Sequence, residues 1–158
     1  VRLGGPAARH YPIVDPDLLL TGIVLHDLGK IYELDYRRSF SYTTAGQLLG
    51  HMAIVVALLH TKTAAVPGFP PRLATLVEHL ILSHHGRYEF GSSRLPLFPE
   101  ALLLHYLDDL DSKMESMRAS LASDAALEGE WTSWNASLDR PILKKDRFLA
   151  GDTDGGSR

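Results

Sequence analysis

Histidine and aspartate side chains interrupt four otherwise apolar segments of this 158-residue chain. His26 and Asp27 follow the run LLLTGIVL, and His51 stands at the start of another apolar run, directly after Gly50. The other members of this group close a third segment or interrupt a fourth: His84, His85, His105, Asp108 and Asp111. Because burying such groups without partners is costly, their positions indicate a shared polar site.

Imidazole and carboxylate groups together bind Mn, Fe, Co, Ni or Zn, and oxygen-rich mixed sites also accept Mg. If the four segments pack together, these side chains meet in one interior place. Asp27 is then the natural bridge between two ions about 3.5–4 Å apart, a spacing used in phosphoryl transfer. Each motif alone also has a structural explanation. His26-Asp27 suits a hydrogen-bonded helix end, and His84-His85 suits a helix C-terminus, where the dipole favours imidazolium.

The first predicted helix carries the strongest local signals. Asp15 is a good N-cap and Pro16 suits the first helical position. The following run, LLLTGIVLHDLGK, is apolar nearly all round, which predicts a buried helix that ends near Gly29. Residues 32–42 are interpreted as a loop or short hairpin.

Three further helices follow in this interpretation. Thr44 and Gln47 form a capping-box pattern ahead of a helix to about residue 64. The next helix begins near Pro71 and stops at Gly86, and a long one begins at residue 99 or 100. The predicted fold class is all-α, with about five principal helices around one core. Trp131 and Trp134 are expected to pack the C-terminal tail, and the final GDTDGGSR to be disordered.

Composition excludes several classes of protein. There are no cysteines, which excludes disulfides, thiolate zinc sites and a cysteine nucleophile. The formal net charge of −3 does not suit a domain that grips nucleic acid by charge alone. We find no run of about 18 uncharged apolar residues, so no membrane span is expected.

The ordered motifs carry a family resemblance. The sequence HDLGK at 26–30 resembles the signature of the HD superfamily of metal-dependent phosphohydrolases. The later segments GH at 50–51, ILSHHG at 81–86 and LHYLDDLDSKM at 104–114 resemble the HD domain of YhaM-type 3′-5′ exoribonucleases. The likeness runs from about residue 15 to residue 117, and it implies an HD-domain helical bundle.

The resemblance also implies roles, position by position. His26, Asp27 and Asp108 would hold one metal, with Asp27 shared between two ions, and His51 and His84 would hold the second. His85 would be a ligand or a phosphate contact, and Lys30 would face the scissile phosphate, although a lysine at a helix C-terminus also suits the helix dipole. In the proposed catalysis, a protonated His85 or His51 would assist the leaving oxygen.

Asp111 would be a supporting residue. From the sequence position alone, His105 suits either a supporting residue or a core histidine with a hydrogen-bond partner. Arg87 and Tyr88 suit either substrate contacts or packing, and Arg37 and Arg38 suit either phosphate contacts or a solvated surface. The implied cofactor is one or two divalent ions, with Mn the first expectation and Mg, Fe, Co, Ni or Zn also suitable.

The family pattern extends beyond this chain. Its first histidine ligand lies on a helix before the HD helix, and no histidine here occupies a suitable position. We therefore expect the chain to begin just after that ligand, with a truncated first helix. The expected domains are an HD core over residues 1–122 and a tail over 123–158. An RNA-binding OB domain is expected outside the chain, in a cytoplasmic protein.

Three functions are compatible with these residues. The first is the catalytic domain of a 3′-5′ exoribonuclease acting on single-stranded RNA. The second is an HD phosphodiesterase or nucleotidase acting on a small nucleotide. The third is a non-catalytic HD module that binds ligands. Turnover of RNA, of mononucleotides or of neither distinguishes them.

Overall fold

The structure, a computed structural model, describes residues 3–35 and 41–151. Its helices are α1 (Gly4–His10), α2 (Pro16–Leu25), α3 (Lys30–Glu33), α4 (Thr44–Ala64), α5 (Pro71–Ser83), α6 (Pro99–Ser123) and α7 (Lys145–Gly151). Leu34–Asp35 (β1) pairs antiparallel with Ser41–Tyr42 (β2). The all-α prediction is confirmed, although α3 and α7 were not predicted. Arg37, Arg38 and residues 152–158 of the predicted disordered end lie outside the described residues.

Helix α2 begins as its sequence predicts and ends earlier. The Asp15 carboxylate accepts hydrogen bonds from the backbone N–H groups of Asp17 and Leu18. The predicted end at Gly29 is wrong, because residues 26–29 form tight turns in which Leu28 N–H binds Leu25 O and Lys30 N–H binds Asp27 O. The expectation of burial all round is also wrong, since Val24, for example, is 60% exposed.

Helix α4 departs from the prediction at its start and at Gly50. Its N-cap is Thr43, whose hydroxyl accepts a hydrogen bond from Gly46 N–H. The predicted capping box of Thr44 and Gln47 is therefore wrong, because Gly46 occupies the third helical position. Gly50 has φ 72° and ψ 158° and kinks the helix. An L-residue rarely adopts a positive φ, so glycine is required at this kink.

The kink also divides a long hydrophobic segment. Thr44–Ala64 has a mean hydropathy of 1.3 and is, by length and composition alone, able to cross a membrane. The part after Gly50, residues 51–64, is about 21 Å long at ~1.5 Å per residue. A bilayer's hydrocarbon core is about 30 Å thick, so this uninterrupted part is shorter than a span needs. The expectation of no membrane span stays a prediction.

Helices α5 and α6 begin where prolines predict them, at Pro71 and Pro99. The predicted end of α5 at Gly86 is three residues late, because the helix ends at Ser83 and His84 is its C-cap. Two groups of buried apolar residues join α2, α4, α5 and the start of α6. The first contains Ala8, Val14, Leu19, Leu80, Ala101 and Leu104, and the second contains Val55, Val77 and Ile81.

The chain divides into two compact units after Asp108, inside α6. In the second unit, the Asn135 side chain donates hydrogen bonds to the hydroxyls of Ser116 and Ser120. Leu138 and Ile142 are buried there, whereas Trp131 and Trp134 are more than half exposed. The expectation that the two tryptophans pack the tail on the core stays a prediction. The predicted domain boundary after residue 122 stays a prediction.

Candidate metal centre

Four elements of the first unit contribute side chains to one cluster. His26 and Asp27 lie in the turn between α2 and α3, and His51 directly follows the kink of α4. The remaining members stand at the end of α5 or on α6: His84, His85 and Asp108. Asp108 lies within α6, whereas each of the histidines and Asp27 stands at a turn, a kink or a helix end that breaks an apolar segment.

Hydrogen bonds to backbone carbonyls orient three of the histidine rings. The Nδ1 atoms of His26 and His84 lie 3.0 Å from Ile23 O and 2.7 Å from Ile81 O. Similarly, His85 Nδ1 lies 2.8 Å from Phe90 O. A carbonyl only accepts, so each Nδ1 carries the hydrogen, and in the neutral ring Nε2 keeps its lone pair. This is the tautomer that a metal ligand needs when Nε2 is the binding atom.

The cluster consists of two trios. The first trio contains His51, His84 and His85, and the second contains His26, Asp27 and Asp108. The donor atoms of each trio lie within 4.8 Å of one another. The expected ligand His26 has its Nε2 3.5 Å from both Asp27 Oδ2 and Asp108 Oδ1.

Asp27 lies between the trios. Its Oδ2 faces His26, while its Oδ1 lies 3.6 Å from His51 Nε2 and 3.9 Å from His84 Nε2. The His84 and His85 rings are in contact, with centroids 4.2 Å apart. One carboxylate therefore presents an oxygen to each trio, which is the arrangement of a bridging ligand.

Three buried atoms of this cluster lack a hydrogen-bond partner within the described part of the chain: Asp27 Oδ1, His51 Nε2 and His84 Nε2. Asp27 Oδ1 is a carboxylate oxygen and accepts. His84 Nε2 accepts in the tautomer given above, and His51 Nε2 accepts in the tautomer favoured by the neighbouring Glu33 carboxylate. Buried polar groups are rarely left unsatisfied in folded proteins. A divalent cation satisfies several lone pairs at once, so these residues fit a metal by the chemistry of their donor set.

The charges of the cluster are strongly coupled. Burial, together with the nearby His85 and His26, lowers the pKa of His84 to about 4, so its ring is neutral near pH 7. Burial also lowers the pKa of His26, but the hydrogen bond to Asp108 and the charges of Asp27 and Asp108 outweigh it, so the net shift is upward. The same hydrogen bond holds the pKa of Asp108 below its usual value. The cluster therefore places two histidines with a lowered pKa, His84 and His85, near an aspartate with a lowered pKa, Asp108.

Lys30 lies at the edge of the second trio. Its Nζ donates a hydrogen bond of 2.7 Å to Asp27 Oδ2, and its side chain is 44% exposed. A solvent-accessible ammonium beside the Asp27 carboxylate is placed to meet an anionic group that enters the site. Its predicted role at the scissile phosphate stays a prediction.

Glu33 is part of the site and was missed in the sequence. Its carboxylate lies 3.3 Å from His51 Nδ1 and accepts the His51 backbone N–H at 3.1 Å. Glu33 is buried, and a buried carboxylate needs a partner of this kind. The available signal was a glutamate close behind the HDLGK motif in the apolar context KIYEL.

The supporting and substrate residues of the prediction have mixed positions. His105 Nδ1 donates a hydrogen bond to His84 O at 2.9 Å, so it contacts the backbone of an expected ligand. Asp111 is exposed and falls in the second unit. Arg87 and Tyr88 are exposed next to His85, and the Arg87 guanidinium lies 5.9 Å from the centre of the Phe90 ring.

Two other histidines have ordinary partners away from the cluster. His60 Nδ1 lies 3.8 Å from Glu78 Oε1 on the surface, and the His79 ring accepts the Leu97 N–H at 3.2 Å. Neither histidine belongs to the candidate metal centre.

Comparison with known proteins identifies the family. The model of the HD domain matches residues 2–113. The chain is 43% identical over 148 residues to the 3′-5′ exoribonuclease YhaM of Bacillus subtilis (strain 168), covering 94% of this chain and 46% of that protein. It is 42% identical over 142 residues to the protein of the same name from Bacillus pumilus (strain SAFR-032), covering 87% and 43%.

The chain thus spans less than half the length of these relatives. No solved structure matches it significantly. The HD motif, the helical fold and the clustered histidines and aspartates agree with the family match, which covers most of the sequence. The chain therefore belongs to the HD domain family.

Proposed function

We propose that this chain is the catalytic HD domain of a metal-dependent 3′-5′ exoribonuclease that acts on single-stranded RNA. The observation that carries the proposal is the pair of ligand trios that share the Asp27 carboxylate. The names of the relatives support the substrate class, since each is called a 3′-5′ exoribonuclease. The chain's net charge of −3 supports a second module as the main RNA-binding element.

The residues proposed to hold metal divide between the trios. His26, Asp27 and Asp108 would hold one divalent ion, and His51, His84 and, through its Nε2, His85 would hold the other, with Asp27 shared. Bound divalent ions would supply Lewis acidity at a phosphodiester and a nucleophile at neutral pH. We propose manganese as the natural metal and the cytoplasm as the location.

The chain's own residues would bind and orient the phosphate. Lys30 would exchange its hydrogen bond to Asp27 for one to a non-bridging phosphate oxygen, because an ammonium pairs well with a phosphate. Arg87 and Tyr88, exposed beside His85, would contact the substrate. Burial lowers the pKa of His85, which keeps this ring neutral and favours its role as a ligand over that of a proton donor.

A turnover experiment tests this proposal. Protein loaded with Mn²⁺ is incubated with 5′-labelled single-stranded RNA, and shortening from the 3′ end is expected. Asp27→Ala should abolish both metal binding and shortening. Asp109→Ala is the matched control, because Asp109 also pairs with a lysine, Lys113, at 2.6 Å, and it should retain activity.

Other outcomes decide between the remaining functions. If the metal-loaded protein hydrolyses mononucleotides or small diesters but leaves RNA intact, it is a small-nucleotide phosphodiesterase. If it binds metal and hydrolyses neither substrate, it is a non-catalytic module. Full RNA turnover by Asp27→Ala would contradict the proposed metal centre itself.

A further inference from the structure

We infer that Glu33 is a positioning residue that holds His51 in the orientation and tautomer required for metal binding. The inference rests on the proposed function, because it assigns His51 Nε2 to a metal. It concerns a residue outside the set of expected ligands. The juxtaposition that carries it is one buried carboxylate in contact with both the ring and the backbone of His51.

The contact between α3 and α4 brings Glu33 to His51. A Cβ on Gly46 would lie 2.3 Å from the Glu33 backbone oxygen, and a Cβ on Gly29 would lie 2.2 Å from the His51 backbone oxygen. Two glycines therefore allow the two backbones to approach closely. Thr43 N–H also donates to Glu33 O at 2.8 Å. These contacts of the Glu33 backbone fix the position of the residue, and the position of its carboxylate follows from this packing.

The kink at Gly50 gives the carboxylate its first task. Because Gly50 is non-helical, His51 begins the second part of α4. Its backbone N–H is therefore among those at the start of a helical segment, which need an acceptor from outside that segment. Glu33 Oε1 accepts that N–H at 3.1 Å. A carboxylate at a helix N-terminus is favoured by the helix dipole, so Glu33 acts as a cap from another helix and fixes the position of the His51 backbone.

The ring contact gives the second task. His51 Nδ1 lies 3.3 Å from Glu33 Oε2 and 3.4 Å from Oε1. An ionised carboxylate only accepts, so it favours the tautomer with hydrogen on Nδ1 and the lone pair on Nε2. That Nε2 is buried without a hydrogen-bond partner among the described residues and faces Asp27 Oδ1 at 3.6 Å.

His51 differs here from the other candidate histidines. The described partners of Nδ1 in His26, His84 and His85 are backbone carbonyls, which are neutral. The partner of His51 is a carboxylate. An anionic partner makes the opposite nitrogen a stronger ligand, and removal of such partners typically weakens metal affinity about 10–100-fold.

The substitution Glu33→Gln tests this role. The amide oxygen can still accept the His51 backbone N–H, whereas the amide NH₂ cannot accept the Nδ1 hydrogen. Calorimetric titration of the metal-free protein with Mn²⁺ should show affinity about 10–100-fold weaker than wild type. Circular dichroism should show the folded helical spectrum. Glu78→Gln is the matched control, because Glu78 lies beside the exposed His60, and its Mn²⁺ affinity should equal that of wild type.

Long-range ¹H–¹⁵N NMR of the imidazoles supplies a readout that a purely structural role would not move. Metal-free wild type should show His51 with hydrogen on Nδ1, and Glu33→Gln should show a larger Nε2–H population. An Nε2–H tautomer in wild type would overturn the inference, even if the variant fails to fold. Unchanged Mn²⁺ affinity in a folded Glu33→Gln protein would overturn it too.

Different outcomes test the metal centre and the role of Glu33. If wild type binds no Mn²⁺, the proposed function is overturned, and the role of Glu33 in ligand positioning falls with it. If wild type binds Mn²⁺ and loses it in Asp27→Ala but not in Glu33→Gln, only the inference about Glu33 is wrong.

Discussion

The substitution Gly29→Ala is expected to damage both stability and the metal centre. An alanine Cβ would lie 2.2 Å from the His51 backbone oxygen, 2.8 Å from its carbonyl carbon and 2.9 Å from its Cα. All three atoms are backbone, so rotation of a side chain cannot relieve the overlap. Restoring a contact of 3.4 Å, the lower end of ordinary van der Waals contact, requires a separation of 3.4 − 2.2 = 1.2 Å.

That displacement sets the expected magnitudes. Overpacking of this kind costs about 1–3 kcal/mol, and at about 2–4 °C per kcal/mol for a chain of this size the Tm should fall by roughly 2–12 °C. The movement separates the turn that carries Asp27 from the start of the α4 segment that carries His51. A misplacement of about 1 Å can cost about 100-fold in rate, so a comparable loss of turnover is expected.

Thermal denaturation and Mn²⁺ titration measure the two effects separately. The control is Gly5→Ala, where the nearest atom to the added Cβ is the flexible Arg9 guanidinium at 3.5 Å. That helical position should gain about 0.5–1 kcal/mol, or stay unchanged. A Gly29→Ala protein with the wild-type Tm and Mn²⁺ affinity would refute the close approach of the HD turn to His51.

Two further outcomes are expected from thermal denaturation. Mn²⁺ at 100 times its dissociation constant should stabilise wild type by about 2.7 kcal/mol, or roughly 5–11 °C. Asp27→Asn should lose this rise, because it removes the carboxylate proposed to bridge the two ions, and a rise retained in this variant would contradict the bridging role. Asp109→Asn is the matched control and should keep the rise, since both aspartates pair with a lysine at similar exposure, 36% and 33%. Asp15→Ala removes the acceptor for two N–H groups at the start of α2 and should cost about 1 kcal/mol, so an unchanged Tm would show that this cap contributes nothing.

The helix starts were predictable because their signals are local. Asp15 binds N–H groups two and three residues ahead, and the prolines at 71 and 99 fit first helical turns. Where the signal was ambiguous by one residue, at Thr43 and Thr44, the prediction chose the wrong threonine. The apolar run through Gly29 likewise concealed the end of α2, because hydrophobicity does not mark where a chain must turn.

The sequence indicated which residues form the cluster, but it did not indicate how those residues are arranged in space. His26 and Asp108 are far apart in the chain, yet Nε2 and Oδ1 lie 3.5 Å apart. The Glu33–His51 contact joins residues 18 positions apart and depends on the Gly50 kink, which no local sequence pattern predicted.

The sequence alone determined the residue types at the site, the family they resemble and the starts of α2, α5 and α6, since a helix start depends on neighbours within about one helical turn. Tertiary structure alone decided that Asp27 lies between two trios, that Glu33 contacts His51 and that Trp131 and Trp134 stay exposed. The physical reason is that distances between separate helices depend on packing, and here that packing depends on where a glycine lets two backbones approach.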